Sequence, residues 1–250
     1  MPSVDRLHRL FCFYTCTGGK LFAGMYTGRS GTAYRKGNES MEQRKENQAG
    51  EVVRADAVAN CQQKTDGVLY RQLDADEIDR ALFAHFIRHQ NVTLCHRRVN
   101  GAWVIREDPF IDDWTEEDYR ILVDCLKNTV RTGGFVYGAF VDGVLKGFTS
   151  VEAELFGGDN RYLDLSCIHV SEDMRGRKIG RTLFQAAADW AGQRGAGKLY
   201  ISAHSAVETQ AFYRAMGCVE AQEYNKEHVE KEPYDCQLEY SKGISKTVMK

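Results

Sequence analysis

The first thing this 250-residue sequence lacks is a long apolar run. None approaches the roughly 20 consecutive apolar residues that cross a bilayer, so no membrane partner is expected. It also lacks an excess of either charge: 33 Lys and Arg face 35 Asp and Glu, a net of −2. Without the basic face that marks nucleic-acid binders, no nucleic-acid partner is expected. The eight cysteines (Cys12, Cys16, Cys61, Cys95, Cys125, Cys167, Cys218 and Cys236) contain no C-x-x-C pair and no dense disulfide framework. Several lie in apolar runs, where a thiol acts as a small buried hydrophobe; reduced thiols and a cytoplasmic location are expected. Gly18-Gly19-Lys20 is not a phosphate loop, because Leu21 stands where Ser or Thr is needed. His85 and His89 are four residues apart with Cys95-His96 nearby, yet Phe86 replaces the glutamate of a zinc-protease motif. No metal site is expected. The run Leu10–Tyr14 is too short for a signal peptide.

What is present divides the chain in two. Residues 1–67 are punctuated by glycines, and Glu39 to Glu51 is nearly free of apolar residues. Such a segment buries too little surface to offset its ordering entropy. It carries ten Lys and Arg against seven Asp and Glu, leaving −5 for the rest. A loosely attached N-terminal extension over 1–67, a regular domain over 68–241 and a tail over 242–250 are expected.

Within the domain, Val68–Leu73 reads as a strand and Asp74 can cap a helix through Arg88. An irregular, acidic and aromatic connection follows, Trp103 to Trp114, with Glu107, Asp108, Asp112 and Asp113 able to face a cationic acceptor. Glu230, Glu232 and Asp235 can join that rim. Thr115 caps a second helix that Gly133-Gly134 ends. Phe135–Val141 and Val144–Leu155 form a hairpin through Asp142-Gly143. Strands are expected over Tyr162–Val170, Lys198–Ala203, Cys218–Tyr224 and Asp235–Tyr240, and helices over 176–194 and Val207–Met216. This order describes an α/β fold, a mixed sheet of about seven strands flanked on both faces by about four helices.

The most informative stretch runs from Leu165 to Gly180. A strand enters a short loop that opens into a helix rich in glycine and base: Arg175, Gly176, Arg177, Lys178, Ile179, Gly180, Arg181. The first N–H groups of a helix lack internal partners, and its dipole is positive there, so the turn suits phosphate oxygens. A second stretch, Glu208-Thr209-Gln210-Ala211-Phe212-Tyr213-Arg214-Ala215-Met216-Gly217, follows the strand Lys198–Ala203. Together they resemble the GNAT superfamily of acetyl-CoA-dependent N-acetyltransferases. The first resembles its Arg/Gln-x-x-Gly-x-Gly/Ala signature, with Lys178 in place of the middle glycine. In the second, Ala211, Tyr213 and Gly217 fall on the family pattern, and Glu208 stands where asparagine is common.

The resemblance implies a GNAT fold, its sheet mostly antiparallel with splayed central strands, and a function as N-acetyltransferase, moving the acetyl group of acetyl-CoA to a primary amine. The alternative is a non-catalytic acyl-CoA-binding module of the same fold. It implies that the backbone from Arg175 to Gly180, with Arg181 adding charge, holds the diphosphate. Ile168, His169 and Val170 would run beside the pantetheine arm as an added strand, and Glu208 would lie on the cofactor side. Tyr213 would protonate the departing thiolate, and a homodimer through the last two strands is one assembly such proteins form. For the base that deprotonates the amine, Asp164, His204, Glu152 and Glu154 all stand as candidates. Simple alternation puts Asp164, Ser166 and Ile168 on one face of their strand.

Overall fold

The computed structural model of the protein describes residues 62–241. Most of the expected extension, and the tail from residue 242, lie outside the described residues. Of the extension, Gln63–Thr65 forms strand β1, which pairs antiparallel with β2 (Val68–Gln72). Asp66 and Gly67 turn between them with φ of 50° and 78°, the left-handed pair that a two-residue hairpin needs.

The helix expected over 74–88 does not form. The chain makes turns there and one short 3-10 helix, Ala81–Phe83. Acidic side chains bond locally instead: Glu77 accepts the Asp74 N–H at 3.0 Å, and Asp79 accepts the Leu82 N–H at 2.8 Å. Such bonds give the backbone an alternative to the helix ladder. Ile78, Phe83 and Phe86 are buried nonetheless, so their spacing reported burial and not helix.

The connection expected to be irregular is a long antiparallel ribbon, β3 (His89–Val99) and β4 (Ala102–Asp113). Asn100 and Gly101 turn it, with φ of 49° and 83°. Asn-Gly is among the strongest hairpin signals, and reading the segment as irregular passed over it.

Helix α1 (Glu116–Arg131) starts as expected. Thr115 accepts the Asp118 N–H and the Asp118 carboxylate accepts the Thr115 N–H in return, a reciprocal capping box. Strands β5 (Phe135–Val141) and β6 (Val144–Val151) form the Asp142-Gly143 hairpin. Then come β7 (Tyr162–Asp164), β8 (Cys167–Val170), α2 (Ile179–Gln193), β9 (Lys198–Ala203) and α3 (Val207–Met216). Strand β10 (Val219–Glu220), a short helix α4 (Lys226–Lys231) and β11 (Cys236–Tyr240) complete the order.

The strands form a five-stranded sheet, β1-β2-β5-β6-β8, and a four-stranded sheet, β10-β11-β9-β7. Every pairing is antiparallel except β7 with β9. Among the described residues this is a mixed α/β fold with four α-helices. Helix α1 covers one face of the first sheet, where Leu122 and Leu126 share a core with Val136, Leu145 and Phe148. Helix α2 covers the opposite face and extends onto the second sheet. Leu183, Phe184 and Ala187 belong to one core with Tyr137 and Val151 of the first sheet and Leu199 and Ile201 of the second. That shared burial fastens the two sheets together. No helix among the described residues is long and apolar enough to cross a membrane. The five described cysteines are buried, and none forms a disulfide with another described residue.

Candidate functional site

The site begins where the two sheets part. Residues 162–170, expected as one strand, are two: β7 pairs with β9, and β8 pairs with β6. Between them lies one extra residue. The Glu152 N–H bonds to Asp164 O at 2.9 Å, whereas two residues earlier on β6 Ser150 faces Cys167. Two steps on one strand oppose three on the other, which is a β-bulge. Its effect shows in the packing. Leu163 and Leu165 lie in the α2-side core, as do Ile168 and Val170, while Cys167 joins the α1-side core. Simple alternation is therefore corrected: Asp164 and Ile168 face opposite sides.

Past the bulge, β8 pairs with β6 alone among the described strands. The Ser171 N–H bonds to Lys146 O at 2.9 Å, in register with the β6–β8 pairing. Alternation in an antiparallel ladder then gives His169 and Cys167 the bonds to β6. It turns the backbone groups of Ile168 and Val170 the other way, into the gap beside β9.

That gap leads to the basic turn. After a 3-10 turn at Glu172–Met174, Gly176 has φ of 79° and Lys178 has φ of 64°, and α2 starts at Ile179. No side chain caps α2 and no acidic residue lies in its first turn, so its positive end is left for an external anion. Lys178 takes up the left-handed geometry that the missing glycine would have adopted. Arg175, Arg177, Lys178 and Arg181 are exposed. The Arg175 guanidinium donates to His89 O at 2.7 Å, tying the turn to the root of the ribbon. A Cβ on Gly180 would meet the Phe212 ring at 3.2 Å and Val170 at 3.6 Å; its absence lets the start of α2 lie close to β8 and α3.

On α3, Tyr213 is 6% exposed, with Phe212 and Phe184 ring centroids 5.2 and 6.3 Å away. Gly217 ends the helix at φ of 95°. Glu208 is exposed in the first turn, where its charge complements the helix dipole. His204 Nδ1 accepts the Ala206 N–H at 3.1 Å and the ring packs on Phe110, so that nitrogen turns the chain into α3.

Residues 99–218 match the sequence model of the acetyltransferase (GNAT) family. This stretch, 99–218, is therefore a GNAT-family acetyltransferase region. A putative streptothricin acetyltransferase from Bacillus anthracis, solved with acetyl coenzyme A, is 15% identical with a TM-score of 0.51, covering 69% of this chain and 95% of that one. A nourseothricin acetyltransferase is 20% identical with a TM-score of 0.48, covering 69% and 96%. At such identities the first likeness speaks for the fold alone. No curated protein matches the chain.

Around the GNAT opening, the outer face of the second sheet is polar. Asp164 Oδ2 lies 2.9 Å from His228 Nε2 of α4, with both side chains under a tenth exposed. Asp164 Oδ1 is buried without a partner. Burial opposes a charged His228, yet Asp164 prevails and raises its pKa above the usual histidine value. Burial pushes Asp235 up to about 6 and, with Asp235 beside it, Glu232 up to about 8. Ser202 donates to Asp235 at 3.2 Å, and the Tyr200 hydroxyl donates to Gln237 at 2.5 Å.

The acidic connection gathers elsewhere. Asp108 pairs with Arg97, Asp112 with Arg88 and Asp113 with His89, all within the ribbon and its root. Each of these three carboxylates is already engaged by a side chain of the ribbon or its root. Trp114 packs on Tyr119 and on His169, at 5.4 and 4.8 Å. Burial, then Arg88 and Arg175, hold His169 well below the usual histidine pKa. Glu152 accepts from Thr129 and Ser166, each at 2.8 Å, beside the bulge. The residue that sequence reasoning missed is His228. Only a preceding Asn-x-x-His, a short helix start, was there to mark it.

Proposed function

We propose that the domain transfers the acetyl group of acetyl-CoA directly to a primary amine of a small molecule or peptide. One observation carries this reading: a strand edge with backbone groups turned outward, at Ile168 and Val170, leads straight to an uncapped helix N-terminus. The residues fit acetyl-CoA. The pantetheine arm would extend the sheet beside β8. The amides from Arg175 to Gly180 would take the diphosphate, with Arg177, Lys178 and Arg181 adding charge. Gly180 supplies the close approach that a side chain would close off.

The chemistry asks for two proton movements. The acceptor ammonium gives up a proton, its nitrogen attacks the thioester carbon, and the carbon–sulfur bond breaks. Tyr213 then donates its hydroxyl proton to the thiolate. The carboxyl groups of the polar face that are charged near neutral pH, Asp164 and Asp235, favour a cationic acceptor.

Thiol release from acetyl-CoA tests this against polyamines, aminoglycosides, amino acids, short peptides and a streptothricin, the last because a similarly folded protein is named for it. Tyr213→Phe is expected to lower kcat by about 10²- to 10⁴-fold while acetyl-CoA affinity, measured by calorimetry, holds. An unchanged rate removes Tyr213 from the mechanism. Acetyl-CoA binding without turnover on any amine leaves an acyl-CoA-binding module, and no binding at all overturns the reading.

A further inference from the structure

The structure assigns the removal of the amine's proton to His228, with Asp164 as the carboxylate that orients and polarises its imidazole. This rests on the transferase reading, and it gives Asp164, one of the four candidates for the base, a positioning role instead. Three observations carry it.

The first is place. Asp164 is the last residue of β7, at the apex where β8 leaves for the other sheet. The bulge puts its side chain on the face opposite Ile168 and the α2-side core. His228 meets Asp164 at that apex, where the two sheets part.

The second is geometry. The 2.9 Å contact joins one carboxylate oxygen to Nε2. A carboxylate accepts and cannot donate, so Nε2 carries the hydrogen and the Nδ1 lone pair is the ring's basic site. The Tyr200 ring lies 5.4 Å from the imidazole. Helix α4 is fastened over this face by Asn225: its N–H donates to the Tyr200 hydroxyl at 2.9 Å, and its side chain accepts from Glu227 N–H at 2.9 Å. The imidazole is thereby held and not free to swing.

The third is the unused oxygen. Asp164 Oδ1 is buried and has no partner, an expensive state for a carboxylate oxygen. With Oδ1 unpartnered, the side-chain bond Asp164 makes is to the His228 ring, the pairing that polarises the imidazole.

Each group facing His228 is known. Asp164 on β7 and Asp235 ahead of β11 favour the imidazolium, while Lys231 on α4 opposes it. The proton balance closes. His228 takes one proton from the ammonium and returns it to solvent, and the nitrogen's second proton leaves as the amide forms. The sulfur receives one from Tyr213, whose hydroxyl is replenished from solvent. One amide and one thiol form per thioester consumed.

The test is the pH profile of kcat/KM with one fixed amine. His228→Gln is expected to lower kcat/KM at least 100-fold with acetyl-CoA affinity unchanged, and to abolish the enzyme's acid limb. Asp164→Asn is expected to keep a limb but move it to lower pH, since the imidazole loses the charge that raised it. If His228→Gln keeps activity within a few-fold, or keeps the limb, His228 is not the base. Should either variant fold poorly by circular dichroism, imidazole NMR on the wild type decides. The His228 titration midpoint must coincide with the limb, and a mismatch overturns the assignment. A wild type that binds acetyl-CoA but acetylates no amine sinks the transferase reading and the base role together. An active wild type with an unaffected His228→Gln sinks only the latter.

Discussion

The two sheets solve different problems with similar strands. At the centre of the five-stranded sheet both faces are covered: six of the seven β5 residues are buried, and aromatic rings pack on either side. In the four-stranded sheet one face is equally apolar, with Leu199, Ile201 and Ala203 against α2. Its other face is buried but polar. There Lys198 and Tyr162 meet Glu239, Tyr200 meets Gln237, and Asp164 meets His228. Apolar burial stabilises without direction, whereas hydrogen bonds in a buried polar network are directional and so fix atoms in place. Stability concentrates in the first sheet and chemical precision in the second. The opening lies along their boundary.

The sharpest way to break this contrast is to cut the first sheet. Phe148 is fully buried, with Phe83, Phe86 and His169 rings about it. Phe148→Ala is expected to cost about 3–5 kcal/mol, read from urea unfolding. A loss below ~1 kcal/mol would mean that the first sheet is not where stability resides.

The second sheet is probed by pH. Glu232 and Asp235 have pKa values raised to about 8 and about 6, chiefly by burial. The folded state thus binds these protons more tightly than the unfolded chain. Their stabilisation is complete below the ordinary carboxylate range and is lost as pH rises through about 6 and about 8. Stability is expected to fall between pH 5 and 9 by at most ~1.4 kcal/mol per unit for each titrating group. Glu232→Gln should flatten the alkaline part. An identical slope in wild type and variant would show that Glu232 is not buried as described.

The smallest effect lies at the boundary. Lys178 holds φ of 64° at the start of α2, a conformation costing a non-glycine residue about 1 kcal/mol. Lys178→Gly is expected to raise stability by at most ~1 kcal/mol and to weaken acetyl-CoA binding modestly through the lost charge. A clear loss of stability would show that the lysine side chain packs usefully there.

Much of the fold was legible from the sequence. Strands β5 and β9 and helix α3 fall on the expected residues, because their patterning and punctuation agree locally. Thr115 announced α1, and Asp142-Gly143 its hairpin. The failures have physical causes. Residues 74–88 carry a helix-like apolar spacing that local acidic bonds and burial satisfy without a helix. The ribbon was missed because its β4 strand is largely exposed and so shows little period-two contrast, and because the Asn100-Gly101 signal was not weighed. Of the candidate site, the phosphate turn and Tyr213 were legible because each is a contiguous motif.

The sequence by itself determined the local chemistry: the glycine and basic residues at the α2 start, the tyrosine on α3, the caps and the tight turns. These depend on neighbours within a few residues. Tertiary structure alone decided the bulge between Asp164 and Cys167, the parting of β8 from β9, and the meeting of Asp164 with His228. Those two residues lie 64 positions apart, and no periodicity or spacing encodes a contact made only when α4 packs across a second sheet.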